Sequence, residues 1–176
     1  MQTDSELILL LGQGNQQAFA DLYERHKSAI YRYCLRMLAD TDAAEDATHD
    51  TFIKMSQNLS SLRNTDSFLP WLFQIARNEV LMYLRHNRND GSHGIEDVWD
   101  ETTPHDLMVT TETIEIVQLM LQKMKSEYRE ILILREYEQL SYAQIAEITG
   151  NTESSVKSRL FKARQAITKK LKTFYQ

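Results

Sequence analysis

The sequence predicts an all-α protein built as two small helical domains joined by an acidic, flexible linker. Three observations predict it. Five Gly and two Pro in 176 residues leave long uninterrupted segments, which suits helices better than a sandwich or barrel. Apolar residues recur at a helical period on both sides of the stretch 89–106. That stretch holds Gly91, Gly94 and Pro104 among Asp90, Glu96, Asp97, Asp100, Glu101 and Asp106, with no sustained period of its own, as a solvated linker does. The expected boundaries are a first domain over 1–88, the linker over 89–106 and a second domain over 107–176.

The same composition excludes several classes. A hydrophobic share of 42% is enough for packed cores. Cys34 is the single cysteine, so there is no intramolecular disulfide and no cysteine-cluster zinc site. No apolar run approaches the roughly eighteen residues of a membrane span, and the N-terminus lacks the basic start and small-residue cleavage site of a signal peptide. The expected location is the cytoplasm. His26, His49, His86, His93 and His105 are scattered, without the spacing of metal ligands on one helical face. Neither a metal, a cofactor nor a catalytic constellation is expected, so the chain does not read as an enzyme.

The first long helix spans about 16–38 and turns Phe19, Leu22, Tyr23, Ile30, Tyr33, Cys34, Met37 and Leu38 inward. The second, about 41–59, buries Ala44, Thr48, Thr51, Phe52, Met55 and Leu59. Its outer face aligns Asp42, Asp46, His49, Asp50 and Ile53. Like charges four residues apart cost a few tenths of a kcal/mol per pair, and an apolar Ile53 among them does nothing for solubility. A solvated acidic face is one reading; two local rules broken on one face point to the other, a docking surface for a basic partner. The third helix, about 67–88, is apolar around most of its girth. One strip carries Gln74, Arg77, Asn78, Leu81, Arg85 and Arg88. Ser67 can cap it, and Pro70 sits in the first turn, where a missing N–H costs least. Trp71, Phe73 and Tyr83 supply flat faces, which are either core or platforms for unstacked bases beside Arg and Asn.

Near the C-terminus, Ser141 followed by Gln144 three residues later is a capping-box start. Gly150 supplies the positive φ that ends the helix 141–149. Thr152 can cap the next helix, whose apolar stripe is Val156, Leu160, Ala163, Ile167 and Leu171. Two helices meeting across a small residue, Ala146, and a Gly turn read as a helix-turn-helix; on spacing alone an ordinary amphipathic hairpin with a solvated basic face is the other reading. Charge agrees with this placement. The chain as a whole is −5, with −4 over 1–60, +1 over 61–90, −6 over 91–127, −2 over 128–151 and +6 over 152–176. The positive charge is concentrated where a duplex would lie. Thr152, Ser154, Ser155, Lys157, Ser158, Arg159 and Lys162 are the candidates for base edges and nearby phosphates, with Lys169 further along the same arc. On these residues alone, a stand-alone helix-turn-helix transcription regulator remains an alternative.

The order of parts resembles the bacterial sigma factors of the sigma-70 family, specifically the compact extracytoplasmic-function (ECF) subfamily. The resemblance rests on "GNQQAFADLYERH", "DAAEDATHDTFIKM", "FLPWLFQIARNEVLMYLRH" and "YREILILREYEQLSYAQIAEITGNTESSVKSRLFKARQAI". It implies that Asp42, Asp46, His49, Asp50 and Ile53 dock on the clamp helices of the RNA polymerase β′ subunit. It implies that the third helix melts and reads the minus-ten element through Arg63, Gln74, Arg77, Asn78, Arg85 and Arg88, with Asn78 against a flipped base and the loop 60–67 completing the pocket. The last domain would read the minus-thirty-five element and touch the β flap, the linker would thread near the active site, and an anti-sigma factor would be a further partner. The chain departs from the usual pattern at His49, where Gln is common, at the less basic "RHNRND", and at Glu153, which opens the recognition helix with a negative charge.

Overall fold

The computed structural model describes residues 2–87, 98 and 99, and 113–174. The chain divides into two compact units, Met1–Arg88 and Asn89–Gln176. Among the described residues the regular structure is helical, apart from an isolated antiparallel bridge between Trp99 and Met124. Of the sequence expectations, Arg88 and all of the linker except Val98 and Trp99 lie outside the described residues.

The first unit contains α1 (Asp4–Gly12), α2 (Gln16–Leu38), α3 (Thr41–Gln57) and α4 (Phe68–Asn87), with two short 3-10 turns between α3 and α4. Helix α1 starts at a capping box in which Thr3 and Glu6 satisfy each other's backbone N–H groups. Asn15 caps α2 by accepting from the N–H groups of Gln17 and Ala18. Ala39 then takes a left-handed φ of 54°, and Asp40 accepts from the N–H of Ala43 to start α3. That backbone bond, followed by one from the Tyr83 hydroxyl, holds the Asp40 carboxyl below its ordinary range.

Helices α2, α3 and α4 pack on one another, and α1 lies on α2. The core contains Leu22, Ile30, Tyr33, Met37, Phe52 and Met55, all but inaccessible. Cys34 is part of it; burial pushes its thiol up to about 12, so it is a core hydrophobe rather than a nucleophile. Polar contacts also tie the layers. Lys54 on α3 donates to Glu79 on α4 at 2.6 Å. Asp4 on α1 pairs with Arg25 at 2.5 Å and His26 at 2.9 Å on α2.

The second unit contains α5 (Thr113–Lys123), α6 (Ser126–Leu132), a π-helical turn (Ile133–Tyr137), α7 (Tyr142–Thr149) and α8 (Glu153–Phe174). Both α6 and α7 pack against α8. Val156, Leu160 and Ala163 form the buried stripe of α8. The capping box expected at Ser141 and Gln144 is present, and Gly150 closes α7 at φ 66°. Thr152 accepts from the N–H of Ser155 at 3.2 Å to open α8. Val98 and Trp99, the described part of the expected linker, lie on this unit: the Val98 carbonyl accepts from the Lys125 N–H at 2.9 Å.

Candidate functional site

Three surfaces carry the candidate residues. The first is the outer face of α3. Asp42, Asp46, His49 and Asp50 are all exposed on it, and Ile53 is 39% exposed. The opposite face is buried against the rest of the unit. Thr48 and Thr51 return their hydroxyls to the carbonyls of Ala44 and Ala47, each at 2.6 Å. Phe52 meets Tyr23 edge to face at 4.8 Å. Beside Ile53 runs a groove of about 620 Å³ whose walls include Leu11, Gly14, Phe19 and Gln57. The sequence reading missed this groove because one wall is formed by the end of α1 and its turn into α2. The resulting surface pairs a row of carboxylates with an apolar edge, which suits a basic partner that also offers apolar side chains.

The second surface is the polar strip of α4. Asn78 and Arg85 are exposed; Gln74 and Arg77 are half-buried along the same strip. Arg63 is exposed between the two 3-10 turns that precede α4. Met82, at 57% exposure, extends the strip with an apolar side chain. The aromatics divide between the two readings. Phe73 is only 1% exposed and meets Tyr33 edge to face at 5.6 Å, so it is core and cannot serve as a platform. The Tyr83 hydroxyl donates to Asp40 at 3.1 Å. Trp71, tilted on Phe68 at 6.2 Å, stays half-accessible.

The third surface is the exposed arc of α8. Thr152, Ser154, Lys157, Ser158 and Lys162 are exposed, while Ser155 is half-buried. Arg159 is also half-buried, and its guanidinium donates to the Asn151 side chain at 3.2 Å; it therefore braces the turn as well as facing outward. Phe161 is 62% exposed on this arc, an apolar group that can meet a thymine methyl in a major groove. Two further residues, Arg135 and Tyr142, join the surface that the sequence reading did not select. Arg135 and Lys157 lie over the Tyr142 ring, 4.7 and 5.4 Å from its centroid. Arg135 also donates to the Leu140 carbonyl at 2.7 Å. The π-helical turn brings Arg135 to the start of α7, so two cations converge on one aromatic beside a helix N-terminus, where a negative charge is favoured. The available signal was Tyr142 itself, an aromatic in the first turn of a helix whose apolar stripe lies elsewhere.

Among the described residues no group of three His, Cys, Asp or Glu could hold a metal ion. Among the same residues no helix is long and apolar enough to cross a membrane.

Comparison with known proteins addresses the same two units. Sigma-70 region 2 is matched over residues 22–89 and Sigma-70, region 4 over residues 114–167. The chain is 31% identical over 172 residues to the ECF RNA polymerase sigma factor SigW of Bacillus subtilis, covering 91% of this chain and 92% of that one. It is 30% identical over 181 residues to the ECF RNA polymerase sigma-E factor of Escherichia coli, covering 96% and 94%. Among solved structures, CnrH in complex with the cytosolic domain of CnrY has the same fold, with a TM-score of 0.75 at 23% identity over 97% of each chain. The sigma factor RpoE of Bartonella quintana, solved with the anti-sigma factor NepR, gives 0.68 at 25% identity, covering 88% of this chain and 96% of that one. With both sigma regions in order and near-full-length identity above three residues in ten, this chain belongs to the ECF subfamily of sigma-70 RNA polymerase sigma factors.

Proposed function

We propose that the chain, in directing promoter-specific initiation by core RNA polymerase, divides the work among the three surfaces. The outer face of α3 docks on the basic clamp helices of the β′ subunit, with Asp46, His49, Asp50 and Ile53 at the centre and Asp42 at the edge. The α4 strip, with Arg63 before it, takes the minus-ten element: Asn78 hydrogen-bonds an unstacked base and Arg77 and Arg85 hold backbone phosphate. The α8 arc enters the major groove of the minus-thirty-five element. Ser158, Lys157 and Phe161 reach base edges, while Lys162 and the Arg135–Tyr142 corner hold phosphate.

The observation that carries this reading is the pairing within one chain of an acidic, apolar-edged helix face with a basic helix-turn-helix arc. A duplex-binding module alone has no use for the first. The overall charge of −5 follows from it, because a sigma factor meets DNA as part of a polymerase whose clefts are basic. An anti-sigma factor is the partner we expect to compete for these surfaces; the Bartonella relative was solved with one. The chain would act inside the cell, where polymerase is found, and contributes contacts rather than chemistry.

The test is transcription in vitro with core polymerase on a randomised promoter library. Active promoters should share two elements at a fixed spacing, and Asn78→Ala should narrow melting without lowering core affinity. Losing base-specific hydrogen bonds costs roughly 1–3 kcal/mol. A chain that binds duplex yet never binds core would instead be a stand-alone helix-turn-helix regulator.

A further inference from the structure

Within the second unit, Val98 and Trp99 are seated on the basic helix. Val98 is 8% exposed, its carbonyl is bonded to the Lys125 N–H, and Trp99 bridges Met124. The ammonium of Lys170 stands 3.8 Å from the centroid of the Trp99 ring, close enough for a cation–π contact. Val98 and Trp99 together wall a groove of about 560 Å³ whose other side is α8: Lys162, Gln165, Ala166, Lys169, Lys170 and Thr173. At 100° per residue, Lys162, Gln165 and Lys169 fall within about 60° of one another, on the arc opposite Val156 and Ala163. They share that arc with Ser158. The Trp99 ring over Lys170 forms one wall of that groove, so a sugar–phosphate strand tracking the arc toward the end of α8 meets the indole at its edge.

We propose that Val98–Trp99 is an intramolecular strap that competes with duplex phosphate for the C-terminal half of α8. This rests on the reading of α8 as the duplex-facing helix. The strap's chemistry is that of a phosphate competitor. The indole face offers Lys170 a negative quadrupole in place of a phosphate oxygen. In sequence the pair is flanked by Glu96 and Asp97 on one side and Asp100 and Glu101 on the other, a run that repels phosphate. The free chain therefore binds DNA more weakly than its basic helix alone would, and displacing the strap frees Lys170, the half-buried lysine of the groove, to neutralise a further phosphate.

The experiment uses the full chain and a duplex of about twenty base pairs, with affinity measured at two salt concentrations. Trp99→Ala should bind at least about threefold tighter than wild type, with a salt slope steeper by about one unit for each additional phosphate neutralised. The chain has two tryptophans, so in a Trp71→Phe background Trp99 is the sole emitter and reports directly, even if the alanine variant folds poorly. Its emission should shift to the red and become quenchable by iodide as duplex is added. Equal or weaker binding by Trp99→Ala overturns the proposal, as does an unchanged Trp99 emission at saturating duplex, or undetectable binding in both proteins. Lys157→Ala separates the two layers of inference, since Lys157 is exposed and outside the groove. If Lys157→Ala binds as wild type does, the duplex-facing reading fails and takes the strap with it. If Lys157→Ala weakens binding while Trp99→Ala changes nothing, only the strap fails.

Discussion

Lys54→Met should destabilise the first unit by about 2 kcal/mol, and the size follows from the geometry of one ion pair. Lys54 Nζ donates to Glu79 Oε1 at 2.6 Å; the lysine side chain is 42% accessible and the glutamate side chain 5%. Severing a fully buried pair costs roughly 3–5 kcal/mol, because a charge is left uncompensated. An exposed pair contributes about 0–1 kcal/mol. Here one end is wet and the other dry, so a value near ~2 kcal/mol lies between the two limits. Methionine retains the length and most of the alkyl packing, so the change isolates the charge. For a unit of this size each kcal/mol moves the midpoint by roughly 4–8 °C, giving a fall of roughly 8–16 °C. Trp71 lies in α4, and in a Trp99→Phe chain its fluorescence follows the first unit alone. The companion double variant Lys54→Met with Glu79→Met should recover much of the loss, since no buried charge remains. A midpoint within about 3 °C of wild type, less than 1 kcal/mol by the same scale, would refute the reasoning; so would a double variant no more stable than Lys54→Met. The pair also has a functional reach. Lys54 follows Ile53 on the proposed docking face and Glu79 follows Asn78 on the α4 strip, so the same variant should lower open-complex yield at temperatures where the unit is still folded.

Three further outcomes are expected. Asp50→Arg should weaken binding to core polymerase by roughly 2–5 kcal/mol if the contact is desolvated, with circular dichroism unchanged; a normal affinity in a pull-down titration would remove α3 from the interface. Burial holds His26 below its ordinary 6.5 despite the neighbouring Asp4 carboxylate, so the unfolded chain takes up the proton more readily. Stability of the first unit should therefore fall as pH drops through about 6.5, and His26→Asn should flatten that slope in urea melts at pH 7 and 5. Gly150→Ala meets no atom within 4 Å but must hold a φ of 66°. It should cost the second unit about 1 kcal/mol, which a melt monitored at Trp99 in a Trp71→Phe chain would read.

Helical periodicity made much of this fold legible, because burial of one face is a local property. Most inward residues of α2 and α3 and the capping residues Ser141 and Thr152 stand where a 3.6-residue repeat and cap chemistry put them, while Phe19, Tyr23 and Leu38 are half-buried and Leu59, expected within the second helix, lies in the 3-10 turn after it. What the repeat cannot report is which distant group meets a given face. Helix α1, "DSELILLLG", is apolar on nearly every side, so Leu7 at 1% and Leu9 at 62% exposure are indistinguishable by pattern. It is oriented by Asp4 reaching Arg25 and His26 on the next helix. Phe73 and Trp71 are two residues apart in one helix, yet one meets Tyr33 in the core and the other stays half-accessible. Arg159 faces outward by period but is turned toward Asn151 by a hydrogen bond. The stretch 89–106 gives the sharpest case. Its composition marks a spacer, and composition averages away Ile95, Val98 and Trp99, the large apolar residues that break it. Val98 and Trp99 are large apolar side chains in a run of carboxylates, and an exposed tether gains nothing from either. A local departure from a segment's own composition was therefore the readable sign that the segment has something to bind, and the basic helix of the same unit is what it binds.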